Sequence, residues 1–509
     1  MNSPTDQFGE RLTETTLFVL TVLAFGLLLH LLPPPVVDIC LLIGVLGFLY
    51  HVFLTYYEDR ATGLPWPVSE VPVWCVFALP LGGTISAYVF AMNRSIIQTV
   101  VFSALLVVFF YFWFILPAAW FQKTHGGPAN EDREPPDSTL SVLVPAYNEE
   151  GYVGRCVESL LDSRYPGPTE IIVIDDGSTD GTYDEAIAHA TGDVTVIQQP
   201  NEGKYSALNT GLERSTGDVI VTVDADSVVD EDALVQIVRD LEADPNIGAV
   251  AGAVKLLRVQ SRIEKLQALE YALGINTFRR AFAALGFVNV VPGCLGCFRR
   301  AALEEVGGYD GDTMTEDFDV TIKLLKAGWN VEASDSLAFT EAPRTWTGLY
   351  SQRLRWSRGN IETLVKHNDL LRSREVNNFT GLLFPYQIVS LVAMPFATVV
   401  ILWTIGSRLA AGNIAYVVAI LVTFTLLQLI ASLFALALDE NDLWLSLYAP
   451  VVVVVYKHFI DAVTLKSLFD IVRRSDRAWS QTRHRETGVS GDPSAVQKTE
   501  SPTVETDND

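Results

Sequence analysis

Residues 217–226 read Gly-Asp-Val-Ile-Val-Thr-Val-Asp-Ala-Asp, an apolar run that ends in two carboxylates. The run is rich in β-branched residues and starts at a turn-forming glycine, so it predicts a buried strand over 217–223. Similar runs predict strands over 139–145, 170–175, 194–199 and 248–254. Amphipathic stretches predict helices over 150–162, 180–190, 204–213 and 228–243. This alternation indicates an α/β domain with a mostly parallel sheet, which binds ligands at the carboxyl ends of its strands.

Polar and acidic motifs stand mostly where these predicted strands end. In chain order they are Val144-Pro145-Ala146-Tyr147-Asn148-Glu149-Glu150, Asp175-Asp176-Gly177, Asp224-Ala225-Asp226, Thr315-Glu316-Asp317 and Gln352-Arg353-Leu354-Arg355-Trp356. Each motif is weak by itself, because Asp and Gly are also ordinary turn residues after strands. Five motifs in this order are very hard to obtain by chance.

The ordered series resembles the signature of processive family-2 glycosyltransferases, the group that contains cellulose, chitin, hyaluronan and poly-N-acetylglucosamine synthases. The resemblance covers roughly residues 138–375 in detail and the flanking apolar segments only in layout. It implies a GT-A-type α/β domain flanked by α-helical transmembrane segments. It also implies an inverting transfer that polymerises a β-linked polysaccharide from a UDP-sugar, with UDP-N-acetylglucosamine as the best candidate. The alternative is a single-sugar transferase that acts on a polyprenyl-phosphate lipid.

The resemblance assigns the nucleotide site to the first motifs. Tyr147 and Glu149 would line the nucleotide pocket, and Asp176 would contact the base with Asp175 close by. Lys204 opens a predicted helix within a stretch similar to the family's GKxxALN sequence, and it would contact the nucleotide. The alternative for Lys204 is the solvated position that lysine usually takes on a helix.

Asp224 and Asp226 are the predicted metal ligands. Alternation along an extended chain places both side chains on the same side. Carboxylates are hard oxygen ligands suited to Mg²⁺ or Mn²⁺, and a cation beside a diphosphate leaving group stabilises its departure. The resemblance makes Asp226 the closer ligand, while Ser227 could still cap the helix predicted over 228–243.

The last two motifs, with a glycine-rich loop, predict the chemistry on the acceptor side. A carboxylate can remove the proton of the acceptor hydroxyl, and the resemblance gives that role to Asp317, although acidic residues also favour the first turn of a helix. Arg355 would bind diphosphate, since arginine forks suit phosphate groups. The alternative for this motif, which is compatible, is an amphipathic helix lying on the membrane. The expected acceptor contacts are Gly293, Glu316, Gln352, Arg353 and Trp356.

Apolar residues make up 49% of the 509-residue chain and concentrate towards its two ends. Stretches over 15–32, 36–57, 71–92, 96–118, 383–405, 413–438 and 443–467 each approach the roughly 20 residues that span a bilayer. The net charge of −24 argues against a nucleic-acid partner, which requires a basic face. The predicted units are a membrane domain (1–121), a linker (122–138), a GT-A domain ending in interfacial helices (139–375), a second membrane domain (376–470) and a polar, disordered tail (471–509).

Two arguments about membrane topology conflict. Four leading spans place the catalytic block on the side of the N-terminus, which we expect to be the cytoplasm of a multi-pass cell-membrane protein. Seven spans then put the C-terminus outside, whereas the arginines between Arg473 and Arg485 favour an inside position. The stretch with Pro385 and Pro395 is the candidate to lie along the surface, which leaves two to three C-terminal spans. The expected partners are a UDP-sugar donor, the growing polysaccharide, the lipid bilayer and accessory export proteins.

Overall fold

The computed structural model describes residues 111–125, 136–190, 192–372 and 379–473. The first three predicted spans, most of the fourth, most of the linker and nearly all of the tail lie outside the described residues. The strands are β1 Leu140–Ala146, β2 Thr169–Asp175, β3 Val194–Gln198, β4 Val219–Thr222, β5 Ser227–Val229, β6 Ile247–Leu256, β7 Gly296–Arg299 and β8 Asn330–Thr340. They form one sheet in the order β3-β2-β1-β4-β7-β6-β8-β5.

The sheet is mostly parallel, as predicted. β1 pairs in parallel with β2 and β4, β2 with β3, and β6 with β8. β7 runs antiparallel between β4 and β6, and β5 is antiparallel to β8. The carboxyl ends of β1, β2 and β4 therefore meet at one edge, and the first three motifs follow these ends.

Helices cover both faces of the sheet. They are α1 Leu116–His125, α2 Val153–Leu161, α3 Thr182–Ala188, α4 Lys204–Arg214, α5 Ala233–Leu241, α6 Arg262–Glu270, α7 Thr277–Ala283, α8 Arg300–Glu305, α9 Glu316–Ala327 and α10 Trp346–Lys366. In α5 the residues Leu234, Ile237, Val238 and Leu241 are fully buried. This is the 3.6-residue rhythm expected of an amphipathic helix on a sheet.

The helix predicted over 228–243 is wrong in its first part. Val228 and Val229 belong to β5, which pairs with β8, and α5 begins only after Asp232. The two β-branched valines favour the extended chain. Ser227 is therefore not a helix cap, and its hydroxyl donates to Oδ1 of Asp226 at 3.2 Å instead.

Three apolar helices follow the α/β domain. They are built from five shorter α-helices, with π-helical and 3₁₀ turns between some of them. These are α11 Phe384–Ile388, α12 Met394–Ala410, α13 Ile414–Leu438, α14 Ala449–Val451 and α15 Lys457–Val472. By length and composition, Phe379–Ala410, Ile414–Leu438 and Leu443–Val472 could each cross a membrane. Pro385 and Pro395 do not break the first of these, because each closely follows a π-helical turn. Such turns accommodate a residue that lacks a backbone N–H.

Buried polar contacts fix the apolar helices to the α/β domain. Nη2 of Arg280 on α7 lies 3.3 Å from Oδ1 of Asp439, directly after α13, and Nδ2 of Asn276 donates to Oδ2 of the same aspartate at 2.8 Å. On α10 and α15, the hydroxyls of Ser357 and Thr464 are 3.2 Å apart. Removing one partner of a buried ion pair is costly, so the Arg280–Asp439 contact fixes the end of α13 against α7. The Ser357–Thr464 contact joins α10 to α15.

Candidate active site

Two loops at the carboxyl edge of the sheet are tied together by Asn148. Its backbone has a left-handed φ of 56°, which asparagine tolerates better than most residues. The backbone N–H of Asn148 donates to Oγ of Ser178 at 2.9 Å, and its Oδ1 accepts from the N–H of Thr179 at 2.8 Å. Tyr147 and Glu149 flank this residue and are half-buried.

Asp175 and Asp176 are buried and already hold protein groups. Asp176 accepts hydrogen bonds from Nε2 of Gln199 at 2.7 Å and from the N–H groups of Glu202 and Gly203 at 3.1 and 2.8 Å. Asp175 accepts from Nε2 of Gln198 at 2.9 Å. The two aspartates therefore shape the loop that leads into α4, and they position the residue that opens it.

That residue, Lys204, lies at the meeting point of three motifs. Its Nζ is 2.6 Å from Oδ1 of Asp224 and 3.0 Å from Oε1 of Glu316. Burial alone would lower the pKa of Lys204, but the charges of Asp224 and Glu316 hold this pKa well above its usual value. A Cβ atom on Gly293 would lie 2.5 Å from Nζ. A larger residue here would have to displace the ammonium group from its place beside Asp224, so the glycine lets the loop backbone lie close to this ion pair.

Asp226 follows Asp224 in a turn. The N–H of Ser227 donates to the carbonyl of Asp224 at 2.9 Å, so the extended chain expected through this motif is wrong. Val223 and Ala225 are buried while both aspartates stay half-exposed. Oδ1 of Asp226 also accepts from the hydroxyl of Thr340 at the end of β8, at 3.4 Å.

The surroundings of Glu149 fit a cation at this edge. Burial, followed by the charges of Asp226 and Asp224, raises the pKa of Glu149 to about 9. Its Oε2 is buried and finds no hydrogen-bond partner among the described residues. Carboxylate oxygens are the ligands that a hard divalent cation prefers, so this oxygen of Glu149, with Asp226 and Asp224 near it, could contribute to a cation site.

A second acidic group is formed by Asp310, Asp312 and Asp319, and a lysine neutralises its charge. Its carboxylate oxygens lie within 4.8 Å of one another. Nζ of Lys366 donates to all three aspartates, at 2.7, 2.8 and 3.0 Å. This lysine supplies the positive charge, so the group serves as a structural contact between α9 and the end of α10.

Asp317 stands in the first turn of α9 next to the Lys204 ion pair. Its Oδ1 accepts from the N–H of Phe318 at 2.8 Å. Burial and the neighbouring charge of Glu316 raise the pKa of Asp317 to about 6, against the lowering effect of Lys204. A carboxylate with that pKa is ionised at neutral pH and is a better proton acceptor than an ordinary aspartate.

The motif Gln352–Trp356 lies on α10, and its two arginines point in different directions. Arg353 is 3% exposed and donates to Oε1 of Gln352 at 2.7 Å and to Oε2 of Glu270. The hydroxyl of Tyr456 donates to the same Oε2 at 2.6 Å. The structure therefore does not bring Arg353 to the surface where an acceptor contact was predicted. The charge of Arg355 acts on Glu149, where it partly opposes the rise in pKa caused by burial and by Asp226.

Trp356 is half-buried and packs against an apolar cluster. The cluster consists of Val254, Leu256, Tyr271, Ala342 and Cys294, the residue that follows Gly293. The acceptor contacts of Gly293, Gln352 and Trp356 stay predictions.

Sequence reasoning missed Glu270, Tyr456 and Thr340. Glu270 ends a charged helix, and Tyr456 sits in an apolar stretch where a tyrosine resembles a membrane anchor. Thr340 ends β8, whose polar and apolar residues form no clean alternation. A strand assignment for 330–340 would have placed Thr340 at the ligand edge.

Known proteins resemble this chain in its central part. Residues 141–307 match the model of Glycosyl transferase family 2. The chain is 34% identical over 232 residues to poly-beta-1,6-N-acetyl-D-glucosamine synthase of Staphylococcus epidermidis, covering 45% of this chain and 56% of that protein. It is 31% identical over 257 residues to the synthase of the same name from Staphylococcus aureus strain MSSA476, covering 50% and 62%. The match therefore spans less than two thirds of either relative.

The mannosyltransferase PcManGT from Pyrobaculum calidifontis, solved with GDP-Man and Mn²⁺, has a similar structure. The TM-score is 0.54 at 22% identity, and the match covers 75% of this chain and all of that chain. This likeness concerns the fold alone, and it confirms the GT-A-type α/β domain expected from the motifs. The predicted resemblance to processive family-2 glycosyltransferases is likewise confirmed.

Proposed function

We propose that this chain, whose residues 141–307 carry a family-2 glycosyltransferase domain, is an inverting and processive glycosyltransferase. It extends a β-linked polysaccharide from a UDP-sugar. UDP-N-acetylglucosamine is the best candidate, because the two relatives described above are poly-beta-1,6-N-acetyl-D-glucosamine synthases. The observation that carries the proposal is the convergence of Lys204, Asp224, Glu316 and Gly293 at one point, beside Asp317.

The proposed reaction uses Asp317 as the general base. It accepts the proton of the acceptor hydroxyl, whose oxygen bonds to the anomeric carbon from the face opposite the nucleotide. The bond from that carbon to the phosphate oxygen breaks, UDP leaves with both bonding electrons, and the configuration inverts. The raised pKa of Asp317 suits this role at neutral pH.

The departing diphosphate gains negative charge, and nearby positive groups would stabilise it. Lys204 and Arg355 are two cationic side chains whose charges act on Asp224 and Glu149. Asp226 and Asp224 would hold Mg²⁺ or Mn²⁺, which when bound supplies further positive charge to the diphosphate. Tyr147, Glu149, Asp175 and Asp176 would shape the nucleotide pocket, the two aspartates through the loop before α4.

The acceptor would bind between the Gly293 loop and Trp356. An aromatic face holds a sugar ring without requiring one hydroxyl pattern, so a growing chain could move by one unit after each transfer. Glu316 and Gln352 would contact the acceptor at the edges of this binding site. Arg353 would act behind it by holding Trp356.

We place the protein in the cell membrane as a multi-pass protein with a cytoplasmic catalytic domain. The three apolar C-terminal helices support this, together with the four leading apolar stretches of the sequence. The proposed domain boundaries divide the chain into residues 1–121, 122–138, 139–375, 376–470 and 471–509. The bilayer, the polysaccharide and accessory export proteins are the proposed partners.

The deciding experiment is product analysis with the purified full chain in nanodiscs and single UDP-sugars. We expect UDP-N-acetylglucosamine to give the fastest UDP release and products of many units. A product with one sugar on a polyprenyl phosphate would establish the alternative function. If no UDP-sugar gives UDP release above that of Asp317→Asn, the proposal fails.

A further inference from the structure

Three arginines surround the buried carboxylate of Glu341, just beyond the carboxyl ends of β6 and β8. Nη2 of Arg155 lies 3.8 Å from Oε1 of Glu341, Nε of Arg258 lies 4.0 Å from the same atom, and Nη2 of Arg344 lies 3.6 Å from Oε2. The Glu341 side chain is 4% exposed, whereas the arginine side chains are 39, 48 and 50% exposed. The three guanidinium groups therefore form a half-open rim over one carboxylate.

The three arginines of the rim carry more positive charge than Glu341 can neutralise. Among the described residues, the one other carboxylate in an ion pair with these arginines is Glu264, whose Oε1 accepts from Nε of Arg344 at 3.2 Å. Three positive charges thus face two negative ones. The distances to Glu341 are longer than hydrogen bonds, so most of the N–H groups of Arg155 and Arg258 remain available to a ligand.

The rim lies beside the proposed metal site and beside the cluster that contains Trp356. Thr340, the residue before Glu341, donates to Asp226 of the proposed metal site at 3.4 Å. Ala342, the residue after it, packs in the same cluster as Trp356. Arg155 reaches the rim from α2, with its guanidinium carbon 5.2 Å from the centre of the Tyr152 ring.

Phosphate is the ligand chemistry that fits this arrangement. Arginine forks bind phosphate oxygens through paired, charge-assisted hydrogen bonds. Positive charge at the mouth of a cleft also raises the rate at which anions enter it. A neutral sugar would gain little from three converging guanidinium groups.

We propose that Arg155, Arg258 and Arg344 form a second phosphate-binding subsite, which receives the nucleoside diphosphate as it enters and leaves the site. This rests on the proposed function, because it takes the nucleotide of that reaction as the ligand. The subsite is separate from the carboxylates that would hold the metal, and it is linked to Asp226 through Thr340.

The test compares Arg258→Gln and Arg344→Gln with Arg164→Gln in the full chain, in nanodiscs of zwitterionic lipid. Arg164 is the matched control, because it is 63% exposed and pairs with Glu231 and Asp232 on another surface. Three quantities are measured, namely the KM for the UDP-sugar, the inhibition constant of UDP, and the affinity for inorganic pyrophosphate. We expect each rim variant to weaken all three by about 3- to 10-fold, with kcat changing less than KM. Arg258→Lys should recover part of the loss, and Arg164→Gln should match the wild type.

Unchanged KM, UDP inhibition and pyrophosphate affinity in both rim variants would overturn the subsite. An effect that appears only in nanodiscs containing phosphatidylglycerol would also overturn it, since the ligand would then be a lipid headgroup. Pyrophosphate binding needs no sugar transfer. The two proposals can therefore fail separately. If the wild type releases no UDP from any UDP-sugar, the proposed function fails. If Arg258→Gln and Arg344→Gln still bind pyrophosphate more weakly than the wild type does, the phosphate subsite stands.

Discussion

The guanidinium carbon of Arg353 lies 4.1 Å from the centre of the Trp356 ring. The two residues are three apart on α10, which places them on neighbouring positions of one helix surface. Arg353 is itself held by Glu270, which also accepts the hydroxyl of Tyr456 from the last apolar helix. One face of the tryptophan is therefore fixed by a buried ionic contact, and the ring can present its remaining surface in a constant orientation.

The first prediction tests that support through Glu270→Gln. The variant leaves a buried arginine without its carboxylate, which costs about 3–5 kcal/mol for a buried pair. We expect a clearly lower melting temperature and shorter polymer, with nearly normal affinity for the UDP-sugar. Tyr456→Phe is the control, since it removes one hydrogen bond worth about 1–2 kcal/mol. Equal melting temperatures for Glu270→Gln and the wild type would show that this contact does not hold α10.

The second prediction concerns pH. With a pKa of about 6, Asp317 loses its proton as the pH rises through 6, and only this ionised form can accept the acceptor proton. We expect kcat/KM to rise about tenfold per pH unit below that value and to level off above it. Asp317→Asn should lower turnover by about 10²- to 10⁴-fold, keep nucleotide binding, and remove the dependence near pH 6. Near-normal turnover in this variant would exclude Asp317 as the base.

The third prediction concerns the contact between α9 and α10. Asp319 is fully buried, and its two oxygens accept from Nε2 of His367 at 2.9 Å and from Nζ of Lys366 at 3.0 Å. Asp319→Asn should lower the melting temperature and reduce kcat more than KM, because α9 also carries Asp317. Asp312→Asn is the control, since this exposed aspartate contacts the same lysine and should change stability by less than about 1 kcal/mol. Identical effects of both substitutions would contradict a positioning role for Asp319.

Local sequence signals predicted the strands that are buried on both faces. The residues Val142, Ile172 and Ile220 belong to short β-branched runs bounded by turns, and such runs leave few other choices. β8 was missed because polar residues such as Ser334 and Ser336 are buried in it by tertiary contacts. A short window of sequence carries no record of those contacts.

In the candidate site, too, local sequence predicted some features and tertiary contacts determined the others. Asp224, Glu316 and Lys204 were each named from a motif, but the ion pairs that join Lys204 to the two carboxylates could not be predicted from spacing. Arg353 matched a motif that implied an acceptor contact, yet its partner Glu270 lies 83 residues earlier in the chain. Motif resemblance therefore named candidate side chains, while the direction of a side chain such as that of Arg353 depended on a pairing between distant elements.

The fourth prediction concerns the metal. Activity should disappear in excess EDTA and return with Mg²⁺ or Mn²⁺, because a cation would bridge the carboxylates and the diphosphate. Asp226→Ala should weaken both Mn²⁺ binding, measured by titration without substrate, and UDP-sugar binding. Asp310→Asn, in the acidic group neutralised by Lys366, should leave Mn²⁺ affinity unchanged. Full activity in excess EDTA would rule out the proposed metal site.

The last prediction separates polymer synthesis from the transfer of a single sugar. Trp356 packs against the cluster that contains Cys294, and Arg353 lies over its ring, so we propose that the ring holds a sugar and not the nucleotide. Trp356→Ala should therefore reduce polymer length and yield far more than UDP-sugar affinity. Arg355→Ala should reduce both, because its proposed partner is the diphosphate. Product length by mass spectrometry and UDP-sugar affinity would be compared for each variant. Equal losses of affinity in the two variants would place Trp356 in the donor pocket and would remove the basis for its proposed role in holding the polymer.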